Sequence, residues 1–243
     1  MDFIIEAYAK LVCEASSRYR FLRFSEFSTE GKVALWRHDI DVSPHRALAM
    51  ARIEAELGLS ATYFVQVTSR FYSILEPEVA DILRNIVALG HDIGLHFDAH
   101  VCATQLSPDY DRRIAFEAQI LAEVAETQVN SFTLHNPTTL MGVSIDESHR
   151  AGLLNASCSQ LRAAFHYCSD SNGIWRFRPL AEVLKDPAVD RLYALTHPEW
   201  WPLTPMLPRQ RVQRCVEGRA ENCLDKYDEL LKKNGRPNIK EKI

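Results

Sequence analysis

Short apolar runs alternate with helical patterns along most of this 243-residue chain, and that alternation constrains the fold more than any other feature. Successive strands joined by helices run parallel in one sheet, because each helix carries the chain back to the edge where the previous strand began. Residues 33–36 read as a short buried strand. Ser43-Pro44 opens a helix, with Ser as N-cap and Pro at the first helical position, and Gly58 closes it. Residues 61–67 are the clearest strand, rich in β-branched and aromatic side chains. A helix from Pro77 to Gly90, a strand over 92–96, a helix over 109–128 and a strand over 131–134 follow. The pattern then loosens: 153–154, 165–167 and 192–195 are short strand candidates, with a short helix from Leu180 to Lys185. An amphipathic helix over 2–18 and a long helix over 208–234 flank the whole. No linker or repeat interrupts it. One α/β domain over 1–243 is expected, a distorted or incomplete (β/α) TIM-like barrel with helices 1–18 and 208–234 as additions.

Composition narrows the function. A hydrophobic share of 47% and a charged share of 25% suit a globular chain that buries a core without disulfide or metal staples. The net charge of −4 gives no nucleic-acid footprint, and the basic tail (Lys232, Lys233, Arg236, Lys240, Lys242) reads as a solvated end. No run approaches the roughly 18 apolar residues of a membrane span, so no membrane insertion is expected. Acids at Asp2 and Glu6 make the N-terminal run unlike a signal peptide, and a cytoplasmic location is expected. The six cysteines are scattered without a CxxC pair and read as free thiols; Cys102, two residues beyond His100, is left out of any ligand set.

Reactive side chains fall where strands end. Asp39 and Asp41 follow the first strand, His96 closes another and His100 lies four residues on. His135 ends 131–134, Asp170 follows 165–167, and His197 follows 192–195. A parallel barrel gathers its C-terminal strand ends on one face, where active sites are assembled. Asp39 and Asp41 are two apart, so in extended chain both face the same way, one to bind a metal and one to take a proton; turn or cap acids before Ser43-Pro44 are the plainer reading. His96 and His100 form an HxxxH pair that a helical turn would bring onto one ion, although nine histidines produce such spacings by chance. Asp98, between them, reads as a cap or a partner for a ligating imidazole, and His38 should point away from Asp39. His197, in Thr-His-Pro-Glu-Trp-Trp, suits protonation of a leaving group or is a satisfied buried histidine. Trp200 and Trp201 are core or a stacking surface for a sugar ring.

Arg37-His-Asp-Ile-Asp41, Ala61-Thr-Tyr-Phe64, Gly90-His-Asp-Ile-Gly-Leu-His-Phe-Asp-Ala-His100 and Leu195-Thr-His197 together resemble the NodB-homology polysaccharide deacetylases, carbohydrate esterase family 4. The match spans roughly residues 33–200. More closely it resembles small bacterial members found with surface-polysaccharide biosynthesis of O-antigen or capsule type, which often carry Arg-His-Asp-X-Asp and His-Pro-Glu-Trp motifs. The resemblance implies an irregular (β/α)7 barrel.

It also implies roles. Asp39 would be the base, Asp41, His96 and His100 the metal ligands, and His197 the general acid tuned by Asp170. His135, Asn136 and Trp200 would face substrate. One divalent ion is implied, zinc expected, with nickel, cobalt or manganese as alternatives. The reaction implied is removal of an N-acetyl or other short N-acyl group from a sugar; the expected cytoplasmic location makes a nucleotide- or lipid-linked sugar the expected substrate. Three departures mark this chain. Ile40 separates aspartates that the family keeps adjacent, so base and ligand could be exchanged. Phe97 replaces the usual Ser or Thr after the first histidine. Leu134-His-Asn-Pro-Thr138 stands where an arginine is expected, leaving His135, Arg37 or Arg178 to supply that charge. A glycan-binding barrel without turnover and a hydrolase of non-sugar C–N bonds are the other two readings.

Overall fold

The computed structural model describes residues 3–101, 109–136 and 145–239. Cys102, Pro137, Thr138, Lys240 and Lys242 lie outside them. After α1 (Ile5–Ser16) come β1 (Arg20–Leu22), β2 (Val33–Ile40), α2 (Pro44–Glu56), β3 (Thr62–Val65), α3 (Pro77–Ala88), β4 (Asp92–Phe97), α4 (Tyr110–Ala125) and β5 (Ser131–Leu134). Then follow β6 (His149–Arg150), β7 (Leu153–Asn155), α5 (Ser159–Ala164), β8 (His166–Ser169), α6 (Leu180–Lys185), β9 (Arg191–Thr196) and α7 (Pro208–Lys233). The sheet order is β6-β7-β5-β4-β3-β2-β9-β8, with β1 added to β2. Strands β7, β5, β4, β3, β2, β9 and β8 run parallel as the staves of a curled sheet. Among the described residues β6 and β8 do not pair to close it, so the fold is a distorted (β/α)7 barrel.

Alternation along each stave sorts side chains into two apolar layers. Ala34, Trp36 and Ile40 of β2, Tyr63 and Val65 of β3, and Leu192 and Ala194 of β9 pack outward against the helices. Val33, Leu35, Phe64 and Tyr193 point into the barrel, where Phe24, Leu154, Leu161 and Phe165 meet them. The same period of two that sends Val33 and Leu35 inward carries Arg37 and Asp39 inward too, and sends His38 out. His38 stacks on Tyr63 at 4.3 Å between ring centroids and its Nε2 meets Glu54 of α2 at 2.7 Å. Burying that carboxylate is tolerable because Tyr8 and Tyr63 also donate to it. On β4, Ile93, Leu95 and Phe97 pack outward, leaving Gly94 and His96 inside. Gly94 is where the Phe64 ring crosses: a Cβ there would come within 2.4 Å of it.

The helix starts follow their sequence signals. Ser43 Oγ accepts from the Arg46 N–H ahead of Pro44, as the N-cap pattern predicts. Two short elements lacked any such signal: β1, three residues bounded by arginines, and α5, a six-residue helix too brief for a periodic face. The long α7 packs on the barrel, with Arg219 and Lys226 paired to Glu76 and Glu78 at the start of α3. No helix among the described residues is long and apolar enough to cross a membrane.

Candidate active site

The expected strand-end residues meet at one mouth of the barrel, in a cavity of about 640 Å³. Arg37, Asp39, Asp41, His96, His135, Asn136, His197 and Trp200 all line it. His100 does not.

Asp39 is held by its neighbour-but-one. Arg37 Nε and Nη2 donate to the two carboxylate oxygens of Asp39 at 2.6 Å each, a forked pair buried in the barrel. Arg37 also donates to the Tyr193 hydroxyl at 2.9 Å and lies over the Phe64 ring. Burial alone would push the Asp39 carboxyl up, but Arg37 and His96 outweigh it and hold it well below the usual carboxylate range. Of the three candidates Arg37, His135 and Arg178, Arg37 is the one paired with Asp39, and Arg178 pairs with Asp186.

Asp41, His96 and His135 form the tightest group of potential ligands. Their donor atoms lie within 4.8 Å of one another. His96 Nδ1 is paired with Thr133 Oγ1 at 2.7 Å, its direct cross-strand partner on β5. That contact turns Nε2 toward Asp41 Oδ1, 3.2 Å away, and Thr133 supplies the hydroxyl missing at Phe97. Asp41 Oδ1 is buried without a hydrogen-bond partner beyond the nearby His96 imidazole. A buried carboxylate oxygen of this kind is what a cation would satisfy. The inward period of two on β5 explains His135: it continues the face that carries Ser131 and Thr133.

His100 is not part of this group. After His96 the chain leaves its strand and enters a single 3-10 turn, Ala99–Val101, so the four-residue spacing does not stack the two imidazoles as an α-helix would. His100 Nδ1 meets Asp98 Oδ1 at 3.0 Å, and Asp98 Oδ2 lies 3.5 Å from His135 Nδ1. Hydrogen bonding to these histidines draws the Asp98 carboxyl down to about 2. Asn136, in a left-handed turn at φ 45°, donates to His135 Nε2 at 3.0 Å.

Across the cavity, His197 Nδ1 is 2.7 Å from Asp170 Oδ1, and its backbone N–H donates to the same carboxylate. Trp201 Nε1 donates to the other oxygen at 2.9 Å, so Trp201 is core and fixes Asp170. Burial lowers the His197 pKa, but the Asp170 hydrogen bond and charge, with Asp41 and Asp39 nearby, raise it to about 10. The imidazole is therefore protonated at neutral pH. Its Nε2 faces the cavity, 4.0 Å from Asp41 Oδ2. Glu199, next but one to His197, escaped notice in the sequence because an acid before two tryptophans looks solvated. It is buried; that burial and the nearby Asp41 charge push its carboxyl well up.

No family model and no curated protein matches this chain. Its structure is similar to several solved ones at low sequence identity. Peptidoglycan deacetylase PdaC from Bacillus subtilis is 12% identical, with a TM-score of 0.49 and coverage of 85% of this chain and 99% of that one. A family 4 acetyl xylan esterase from Clostridium thermocellum, in complex with a cobalt ion, is 17% identical at a TM-score of 0.42, covering 84% and 92%. BA3943 from Bacillus anthracis, a CE4 family pseudoenzyme, is 14% identical at 0.44, covering 79% of this chain and 63% of that one. The chain thus spans less than two thirds of that last protein's length.

Proposed function

We propose that this chain is a metal-dependent hydrolase that removes a short N-acyl group from a sugar. The observation that carries the reading is the division of the cavity. A carboxylate with an unsatisfied buried oxygen and two imidazoles stand between an arginine-held aspartate and an aspartate-held histidinium.

Asp41, His96 and His135 would hold the ion. One carboxylate with imidazole nitrogens suits zinc, with nickel, cobalt and manganese as competitors. When bound, a divalent cation supplies a water of lowered pKa and polarises an acyl carbonyl. The residues then divide the remaining work. Asp39 has both oxygens engaged by Arg37, which leaves Asp41 as the freer ligand and Asp39 as the carboxylate that would accept the water proton. His197, protonated and aimed by Asp170, delivers a proton from Nε2 to the departing amine. The products are a free amino sugar and acetate, or another short acid. The surface-polysaccharide setting of this reaction rests on the sequence resemblance.

A second reading draws on the same Arg37 grip. A carboxylate so strongly paired is a weak base, as a glycan-binding barrel without turnover could afford. Acetate release from a panel of N-acetylated sugars, with metal loaded, tests the proposal. Asp39→Asn separates the two readings. A hydrolase loses turnover in that variant and keeps its metal. Sugar binding without acetate from the unaltered protein supports the second reading.

A further inference from the structure

Two other cations face this cavity, and neither is held in an ion pair, although the Asp146 carboxylate lies near enough to Arg162 to feel its charge. Arg162 of α5 and Arg176, in the segment between β8 and α6, line the same cavity as His96 and His197. Both are exposed. Among the described residues neither guanidinium has an ion pair or a side-chain hydrogen bond, whereas Arg178, two positions on, is paired with Asp186. The carboxylates lining the cavity are Asp39 and Asp41. The first is neutralised by Arg37, and the second is committed to the ligand group.

The backbone beneath both arginines is pinned. The Arg176 N–H donates to Ser169 O at the end of β8, 3.0 Å away. Helix α5 begins at Ser159, whose N–H and hydroxyl bind Asp146 at 2.7 and 2.5 Å. Phe177, adjacent to Arg176, is 63% exposed and touches Tyr167 edge-on, offering a flat apolar face between them.

We propose that Arg162 and Arg176 form an anion subsite in this cavity, and that the N-acyl sugar it takes carries a phosphate or diphosphate. The proposal rests on reading the cavity as a deacetylase site and names the substrate class. A neutral glycan offers no charge to the two guanidinium groups that face it. A diphosphate beside the sugar supplies charge and oxygen acceptors that planar guanidinium forks match two at a time. Nucleotide-linked and lipid-linked sugars share that diphosphate.

The test is calorimetry on the zinc-loaded protein with three ligands: UDP-N-acetylglucosamine, a short water-soluble polyprenyl diphosphate N-acetylglucosamine, and the methyl glycoside of N-acetylglucosamine. Acetate release is followed in parallel. Binding of at least one diphosphate sugar about tenfold tighter than the glycoside is expected, weakening with added salt. In Arg162→Gln/Arg176→Gln that ratio falls toward one while zinc content stays unchanged. The diphosphate sugar that binds more tightly identifies the source. Equal affinities, no binding of either diphosphate sugar, or a preference that survives in the double variant overturns the proposal; the last result assigns the phosphate to the metal. Preference without acetate release leaves the subsite standing and removes the deacetylase reading. Equal acetate release from all three ligands does the reverse.

Discussion

Arg37 grips both oxygens of Asp39 from two residues away on the same strand, each at 2.6 Å, inside the barrel. Period-two alternation makes this possible: residues 37 and 39 share the inward face, and their side chains lie alongside each other. The pair is buried, so neither member is readily spared. Replacing Arg37 with Met leaves an unpaired buried carboxylate and should cost about 3–5 kcal/mol of stability at neutral pH, measured by urea unfolding. Arg37→Met/Asp39→Asn should recover much of that loss. Two equally stable single and double variants would contradict the account of this pair.

Asp39→Asn tests the base role directly. It retains the shape and should lower turnover by about 10²- to 10⁴-fold, with metal content preserved. An activity loss matched by loss of metal would instead make Asp39 a ligand and reverse its role with Asp41.

His197 carries a pH signature. Its folded pKa is raised to about 10, above the unperturbed value near 6.5. Its charge therefore adds stability that is fully present below about pH 6.5 and is lost as pH rises through about 10. In the metal-free protein, the imidazole shift followed by NMR should titrate far above 6.5, and Asp170→Asn should bring it down by more than one unit. Titration near 6.5 in both proteins would remove Asp170 as the group that keeps His197 charged.

The ligand group makes a prediction that spacing alone would not. His96→Ala and His135→Ala should each weaken zinc affinity by tenfold or more, while His100→Ala should cost less, since His100 engages Asp98 outside the cavity. Competition with a chromophoric chelator measures all three. A larger loss for His100→Ala than for His135→Ala would restore the HxxxH pair as the ligand set.

Much of this arrangement was legible in the sequence. The strands carrying Asp39, His96, His135 and His197 were recognisable from apolar runs. Parallel topology then brings their ends together whatever the loops do. His38 was expected to face away from Asp39, and it does. The rest depended on neighbours that strand pairing creates. Thr133 sits beside His96 only because β4 and β5 pair in that register. His100 follows its strand in a 3-10 turn, so the helical stacking that its spacing from His96 assumed is absent. Arg162 and Arg176 reach the cavity from short segments without periodicity, so nothing in their local sequence announces them.

The central claim is that this cavity hydrolyses an N-acyl bond with the help of one divalent ion. Titrating zinc into metal-stripped protein while recording acetate release from an N-acetylated sugar tests it most directly. Acetate release should climb with zinc, level off near about one equivalent per chain, and be absent in Asp41→Ala. A rate independent of zinc, or no acetate at any zinc level with the metal bound, would contradict the claim.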